Sequence, residues 1–351
     1  MSVSPHTPAP DAGAGPTVHR LAVAGLGRAG IAHAMAIARH DGCALTGFAE
    51  PRAELRRFAK GAGFTAPSEP SLAKLLAKAP CDALVVCAPV EVRAQVAAEA
   101  LAAGLEVLVD GLPTRSLAEA APLAALPADV RARLRCATPS PFHPLLRRGA
   151  ALLASGALGT PRTMRASAFV SRVFAPGAPP ARLDVLDFAV GDLLVLLDRT
   201  LGPARAVKAA AQRLYGERPD EVHATLALES GAEVGLDASW SVPGYPRAAV
   251  VLEVEGERGT LIASDDALEV TLEDEAEGWA AGTTRVLPAE LPDPLPFDAG
   301  ECTRPLHAFV DGLRGGGRDD ELSGERALRA LATLDAMRRA FAHDGFEECR
   351  P

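Results

Sequence analysis

The chain has 351 residues, of which 48% are apolar and 23% charged, with a net charge of −9 at pH 7. That length exceeds one typical core and predicts two domains. The acidic balance, with no basic run, argues against a nucleic-acid partner, and no apolar run approaches the roughly 20 residues needed to span a membrane.

Residues 1–18, rich in Pro, Ala, Gly and Ser, are expected to be a disordered tail. They lack the basic stretch and apolar core of a secretory signal. The six cysteines (Cys43, Cys81, Cys87, Cys136, Cys302, Cys349) form no Cys-x-x-Cys pair. A reduced, cytoplasmic and metal-free protein is the corresponding expectation.

The run Leu21 to Ala24 reads as a buried parallel strand and the alanine-rich Ile31 to Arg39 as a helix. Between them lie Gly25, Gly27 and Gly30. This is the strand, Gly-x-Gly-x-x-Gly turn and helix of a dinucleotide site. The first glycine permits the turn, the second admits a pyrophosphate, and the third lets helix pack on strand. Gly25, Leu26, Gly27, Arg28, Ala29 and Gly30 are therefore expected to face the phosphates at the helix start. A second strand, Ala44–Ala49, ends on Glu50, where an acid is expected to hold the adenosine ribose hydroxyls. Glu50 favours NAD(H), because a carboxylate repels a 2′-phosphate, while Arg52 leaves NADP(H) open.

Short helices follow at 52–60 and 71–78, a strand at 82–87, a helix at 92–103 stopped by Gly104, and a strand at 106–109. Ser116 to Leu123 reads as a helix with a Ser116/Glu119 capping box, and 133–137 as a further strand. Strand–helix alternation predicts an α/β, Rossmann-type, doubly wound parallel sheet over residues 19–138. Cys87, Ala88, Pro89 and Asp110 fall at its ligand-facing strand ends.

From residue 139 the pattern changes. Helices are expected at 144–155 and, as one long element, at 185–201. Strands are expected at 161–171, 204–214, 221–229, 233–241, 248–255, 260–263, 268–272 and 284–286. Helices at 303–314 and 325–342 close the chain and are expected to pack back toward the first domain. This predicts an α+β domain, 139–346, with a large open, mainly antiparallel sheet.

These segments together resemble the Gfo/Idh/MocA family of NAD(P)-dependent oxidoreductases. The resemblance rests on Gly25-Leu-Gly-Arg-Ala-Gly30 with His33, on Ala49-Glu50-Pro51-Arg52, and on Asp82-Ala-Leu-Val-Val-Cys-Ala-Pro89. It continues through Ala102-Ala-Gly-Leu-Glu-Val-Leu-Val109, Ser155-Gly-Ala-Leu-Gly159, Ala308-Phe-Val-Asp-Gly-Leu313 and Ser323-Gly-Glu-Arg-Ala-Leu328. It implies hydride transfer between nicotinamide and a small polar substrate, and a homodimer or homotetramer formed through the second sheet.

The same resemblance exposes departures. The family's strand ending in Glu-Lys-Pro matches a strand ending in Asp110-Gly111, so the lysine's place holds glycine. The Asp and, four residues on, His that open the family's long helix match Asp187 and Gly191. The Thr-Pro-Asn-x-x-His segment reads Ala88-Pro89-Val90-Glu91-Val92-Arg93, without its Asn and His. The four lysines, Lys60, Lys74, Lys78 and Lys208, lie elsewhere in the pattern.

An alcohol or carbonyl substrate needs a positioned proton carrier, typically contributing about 10²–10⁴-fold. Asp187 and His143 are the acid/base candidates; Arg172, Asp184 and Tyr245 are substrate-binding candidates. The acids at 184 and 187 also suit a helix N-terminus on charge grounds alone. Three functions remain open at this point. One is an oxidoreductase with an altered proton relay, acting on a sugar-like, carbonyl or imine substrate. Another is a catalytically silent dinucleotide binder acting as subunit or sensor. The third is a redox-neutral lyase, cyclase or glycosidase.

Overall fold

The structure is a computed structural model that describes residues 18–171, 184–215, 217–245, 248–291, 297–315 and 320–350. The first half contains β1 (His19–Ala24), α1 (Arg28–Ala38), β2 (Cys43–Ala49), α2 (Ala53–Gly61), β3 (Ser68–Glu69) and α3 (Leu72–Lys78). It continues with β4 (Ala83–Val86), α4 (Val90–Ala102), β5 (Glu106–Asp110), α5 (Ala121–Ala124), α6 (Ala128–Arg131) and β6 (Leu134–Ala137). The six strands form a parallel sheet in the order β3-β2-β1-β4-β5-β6. Helices cover both faces, so the apolar runs of β1 and β4 are buried on both sides rather than alternating. The strand order reverses between β1 and β4, and a crevice opens there at the carboxyl ends.

One helix of this half is shorter than the sequence suggests. Glu119 N–H does donate to the Ser116 hydroxyl (3.3 Å), but the Glu119 carboxylate accepts from Arg115 N–H (3.0 Å) instead of Ser116. Only Ala121–Ala124 is α-helical. Pro122 has no N–H for the preceding turn, so the helix restarts with proline in its first turn.

The second half contains α7 (Pro144–Ala154), β7 (Pro161–Phe169), α8 (Gly191–Leu201), β8 (Ala204–Gln212), β9 (Glu221–Leu228) and β10 (Glu233–Ser239). Then come β11 (Ala249–Gly256), β12 (Gly259–Ser264), β13 (Leu268–Leu272), β14 (Gly282–Val286), α9 (Phe297–Arg314), α10 (Gly324–Ala340) and β15 (Glu347–Glu348). Nine strands run in the order β14-β13-β12-β11-β7-β10-β9-β8-β15. The sheet is mixed, not purely antiparallel: β7 and β10 pair in parallel, Gly235 opposite Arg165. The chain leaves β7 by a crossover through α8, which is the kind of connection that parallel neighbours require.

The expected single helix at 185–201 is two pieces. Leu186–Val190 is a π-turn that leads into α8 at Gly191. Apolar spacing cannot distinguish a π-turn from the α-helix it interrupts.

Helices α7, α8 and α10 cover one face of the large sheet; Leu145, Leu193, Leu196 and Leu334 pack against Ala166, Leu236, Leu252 and Leu261. The opposite face is open and carries Lys208, His223, Asp237 and Glu253. Helix α9 lies against α1, and its Leu306, Phe309 and Val310 share a core with Leu21, Val23 and Ile37. Helix α10 is tied to α8 by Asp198, which accepts from Arg326 Nε (2.8 Å) and from Arg329 Nε and Nη2 (both 2.7 Å).

Candidate active site

The turn after β1 is shaped by what its glycines cannot carry. Gly25 has φ +95°, and a Cβ there would sit 2.7 Å from the Cys87 carbonyl oxygen. A Cβ on Gly30 would come within 1.9 Å of the Gly25 carbonyl oxygen. A Cβ on Gly27 would meet nothing within 4 Å, so the backbone there faces open space. Gly27 is the N-cap of α1, with no side-chain cap and no acid in the first turn. The helix therefore presents bare N–H groups and the positive end of its dipole to that space. This arrangement fits a pyrophosphate.

Glu50, at the end of β2, is 2% exposed. Its carboxylate accepts from Leu26 N–H (2.8 Å) and from both the backbone N–H and Nε of Arg52 (3.0 Å each). Burial raises its pKa, but the hydrogen bonds from Arg52 and Leu26 outweigh it and hold the carboxyl below its ordinary value. Thus Glu50 pins the glycine turn as well as closing the second strand. The sequence rule anticipated the acid but not its inward partners.

At the ends of β4 and β5, Asp110 Oδ1 lies 3.1 Å from Nε2 of the fully buried His33. The ligating atoms of His33, Cys87 and Asp110 all fall within 4.8 Å of one another. Burial lowers the His33 pKa, but the hydrogen bond to Asp110 and the neighbouring Cys302 carry it up to about 9. Burial pushes the Cys87 thiol well above its ordinary value. The cluster is thus an imidazolium–carboxylate pair beside a protonated thiol. His33 links α1 to the last residue of β5.

Two glycines stand where the resemblance places proton carriers, and their surroundings differ. Gly111 has φ +79°, and its Cβ position lies 3.5 Å from Arg93 Nη1. Gly191 faces Leu112: a Cβ there would be 2.6 Å from Leu112 Cδ1, so the leucine fills that space.

Asp184 and Asp187 are brought together. Asp187 N–H donates to Asp184 Oδ1 (3.1 Å), and Arg338 Nη2 on α10 donates to Asp187 Oδ1 (2.8 Å). Arg338 also bonds the Arg115 carbonyl (2.7 Å) and Asp335 (3.2 Å). Burial and the neighbouring Asp184 charge raise the Asp187 pKa to about 6, against the opposing pull of Arg338, of the Asp184 backbone N–H that donates to Asp187 Oδ2 (3.4 Å), and of Arg115.

His143 sits apart from this group. Its charged neighbours are Arg304 and Asp266, and burial together with Arg304 lowers its pKa to about 4. Tyr245 is fixed to the end of β7: its N–H donates to Ser171 Oγ (2.7 Å), and its ring packs on Phe169, centroids 5.5 Å apart. Arg172 lies outside the described residues. Sequence reasoning missed Arg115 and Arg338 as neighbours of Asp187, since nothing local marks them. It noted Arg93 only as an absent histidine, although a cation in that slot was a signal in itself.

Residues 19–136 match the profile described as oxidoreductase family, NAD-binding Rossmann fold, and residues 146–262 match the GFO/IDH/MocA C-terminal domain. No curated protein matches the chain. Among solved structures, it is similar to an oxidoreductase from Agrobacterium radiobacter in complex with NAD+, L-tartaric acid and magnesium (18% identity, TM-score 0.82, 95% of this chain and 99% of that one). It is also similar to a levoglucosan dehydrogenase in complex with NADH and levoglucosan (18%, 0.82, 95% and 100%). A third is GenD2 from gentamicin A biosynthesis in complex with NAD (22%, 0.75, 100% and 100%). At these identities the likeness carries the fold, and the profiles carry the kinship. The glycine turn at the switch point, the doubly wound sheet and the mixed second sheet agree with both profiles: the chain belongs to the Gfo/Idh/MocA oxidoreductase family, with an NAD-binding Rossmann first domain.

Proposed function

We propose that this oxidoreductase uses NAD(H) to interconvert a hydroxyl or imine-forming carbon and its oxidised partner on a small polar substrate, with Asp187 as the proton carrier. The carrying observation is the bare turn at Gly27, whose open Cβ position and uncapped helix start fit a pyrophosphate. When bound, the nicotinamide supplies or accepts the hydride. The chain's own part is to hold the diphosphate on main-chain N–H groups and to move a proton at Asp187. Its carboxyl, with a pKa near 6, is matched to that work at neutral pH.

Glu50 is ionised at neutral pH, already pairs with the exposed Arg52, and as a carboxylate at the ribose end disfavours a 2′-phosphate. NADH is expected to bind at least about tenfold more tightly than NADPH, about 1.4 kcal/mol. Fluorescence titration of both nucleotides tests this; equal affinity would remove the assigned role of Glu50. The glycines give a paired test. Gly27→Ala should leave the melting temperature nearly unchanged yet weaken NADH binding by about tenfold or more, because the added methyl enters the phosphate space. Gly30→Ala should disrupt the turn itself, lowering both melting temperature and NADH affinity. A Gly27→Ala variant binding NADH normally would show that the diphosphate lies elsewhere.

Leu112 packed against Gly191 favours a second reading, a catalytically silent member that binds dinucleotide as a subunit or sensor. Absorbance at 340 nm, followed with NAD+ and NADH over polyols, sugar acids, ketones and imines, separates the two. Assembly into a homodimer or homotetramer through the open face of the large sheet is part of the proposal. Light scattering after gel filtration tests it, with a monomer as the opposing result.

A further inference from the structure

Building on that oxidoreductase reading, we propose that Arg93 is the cation that recognises substrate in the crevice, and that the substrate it selects carries a carboxylate. Arg93 stands in the first turns of α4, directly after the β4 end. Its Nε donates to the Ala88 carbonyl (3.1 Å) and its Nη1 to the Leu112 carbonyl (2.8 Å), which bridges the ends of β4 and β5. Two of its five N–H donors are thereby used, and three remain. The backbone beside it is Gly111, whose missing side chain leaves Nη1 3.5 Å from the vacant Cβ position.

Three other arginines near the crevice have acid partners. Arg52 has Glu50, Arg115 has Glu91, and Arg338 has Asp187 and Asp335. Among the described residues no carboxylate lies within ion-pair distance of Arg93, and the nearby Asp110 is engaged by His33. Its charge is nonetheless felt at Cys87, Asp110 and Cys136, each of which it biases toward the ionised form. A half-buried guanidinium held rigid by two carbonyls, lacking a counter-ion and facing the ligand side of the sheet, is a preorganised carboxylate receptor. A guanidinium does not give up its proton near neutral pH, so this contact orients the substrate and leaves proton transfer to another group.

The test uses the NADH-bound protein and matched pairs that share a carbon skeleton and configuration: L-tartrate against L-threitol, and D-gluconate against sorbitol. Calorimetric titration should favour the acid of at least one pair by about tenfold or more. The preference should shrink as NaCl is raised from about 0.05 to about 0.5 M. Arg93→Gln should bring the acid-to-alcohol ratio close to one with NADH affinity within about twofold of wild type, and Arg93→Lys should keep part of the preference. NADH affinity of each variant reports an intact fold, and the wild-type salt dependence stands without any variant. The proposal is overturned if no acid is favoured over its alcohol by NADH-bound wild type, or if Arg93→Gln retains the preference. A wild-type protein that binds no NADH would overturn the parent reading instead.

Discussion

Asp187→Asn is expected to lower kcat/KM by about 10²–10⁴-fold while leaving NADH affinity within about twofold of wild type. The amide matches the carboxylate in shape, still offers Arg338 an oxygen acceptor, and leaves Arg338 its second acid, Asp335. The variant is therefore expected to fold, so lost activity reads as lost proton transfer. The pH dependence sharpens this test. Burial and the Asp184 charge hold the Asp187 pKa near 6, above its ordinary 3.8. In the oxidative direction the carboxylate must accept a proton, so kcat/KM should rise with pH up to about 6 and then level off. In the reductive direction the acid form donates, so the rate should level off below about 6 and fall above it. Asp187→Asn should show neither inflection. A variant that keeps the wild-type profile would remove Asp187 from the relay.

The same shift has a stability consequence of opposite sense to that of most acids. A folded pKa raised above the unfolded value stabilises the fold fully below about 3.8, and that contribution is lost as pH rises through about 6. Asp187 ionised at pH 7 is thus held at a cost in stability, which is the pattern found where carboxyls are kept for chemistry.

The parts of this site that were legible in the sequence are those fixed by local sterics. Gly25 and Gly30 are dictated by contacts with the Cys87 and Gly25 backbone, and an apolar run followed by these spacings announces the turn. Apolar runs likewise place the buried strands to within a residue or two, since burial on both faces leaves little alternative. What failed to show depends on distant partners. Arg338 reaches Asp187 across 151 positions of sequence, and His33 meets Asp110 across 77. Neither member of either pair advertises the other. The π-turn at Leu186–Val190 was hidden because its apolar pattern serves an α-helix equally well. The parallel β7–β10 pair was hidden because strand spacing records which segments are strands, not which lie side by side.

Breaking the His33–Asp110 pair is expected to cost about 3–5 kcal/mol, because the surviving member is left buried without its counter-charge. Asp110→Asn and His33→Asn should each show this in denaturant unfolding, and the double variant should be less damaged than the sum of the two, since no lone charge remains. Titration gives the pair a second signature. The His33 pKa is raised from 6.5 to about 9, so its contribution is complete below about pH 6.5 and is lost as pH rises through about 9. The Asp110 pKa is lowered, so its contribution is present above about 3.8 and is lost only as pH falls through that lower value. Wild type should therefore lose stability between about pH 7 and pH 10 in a step that His33→Asn lacks; identical alkaline profiles would refute the assigned pair. The effect should also extend to the crevice. Asp110 is the last residue of β5, directly before Gly111 at φ +79° and Leu112 against Gly191. His33, held in α1 beneath the glycine turn, sets where that segment starts. Loss of the pair should accordingly weaken NADH binding together with stability, whereas Asp187→Asn should leave NADH binding nearly untouched.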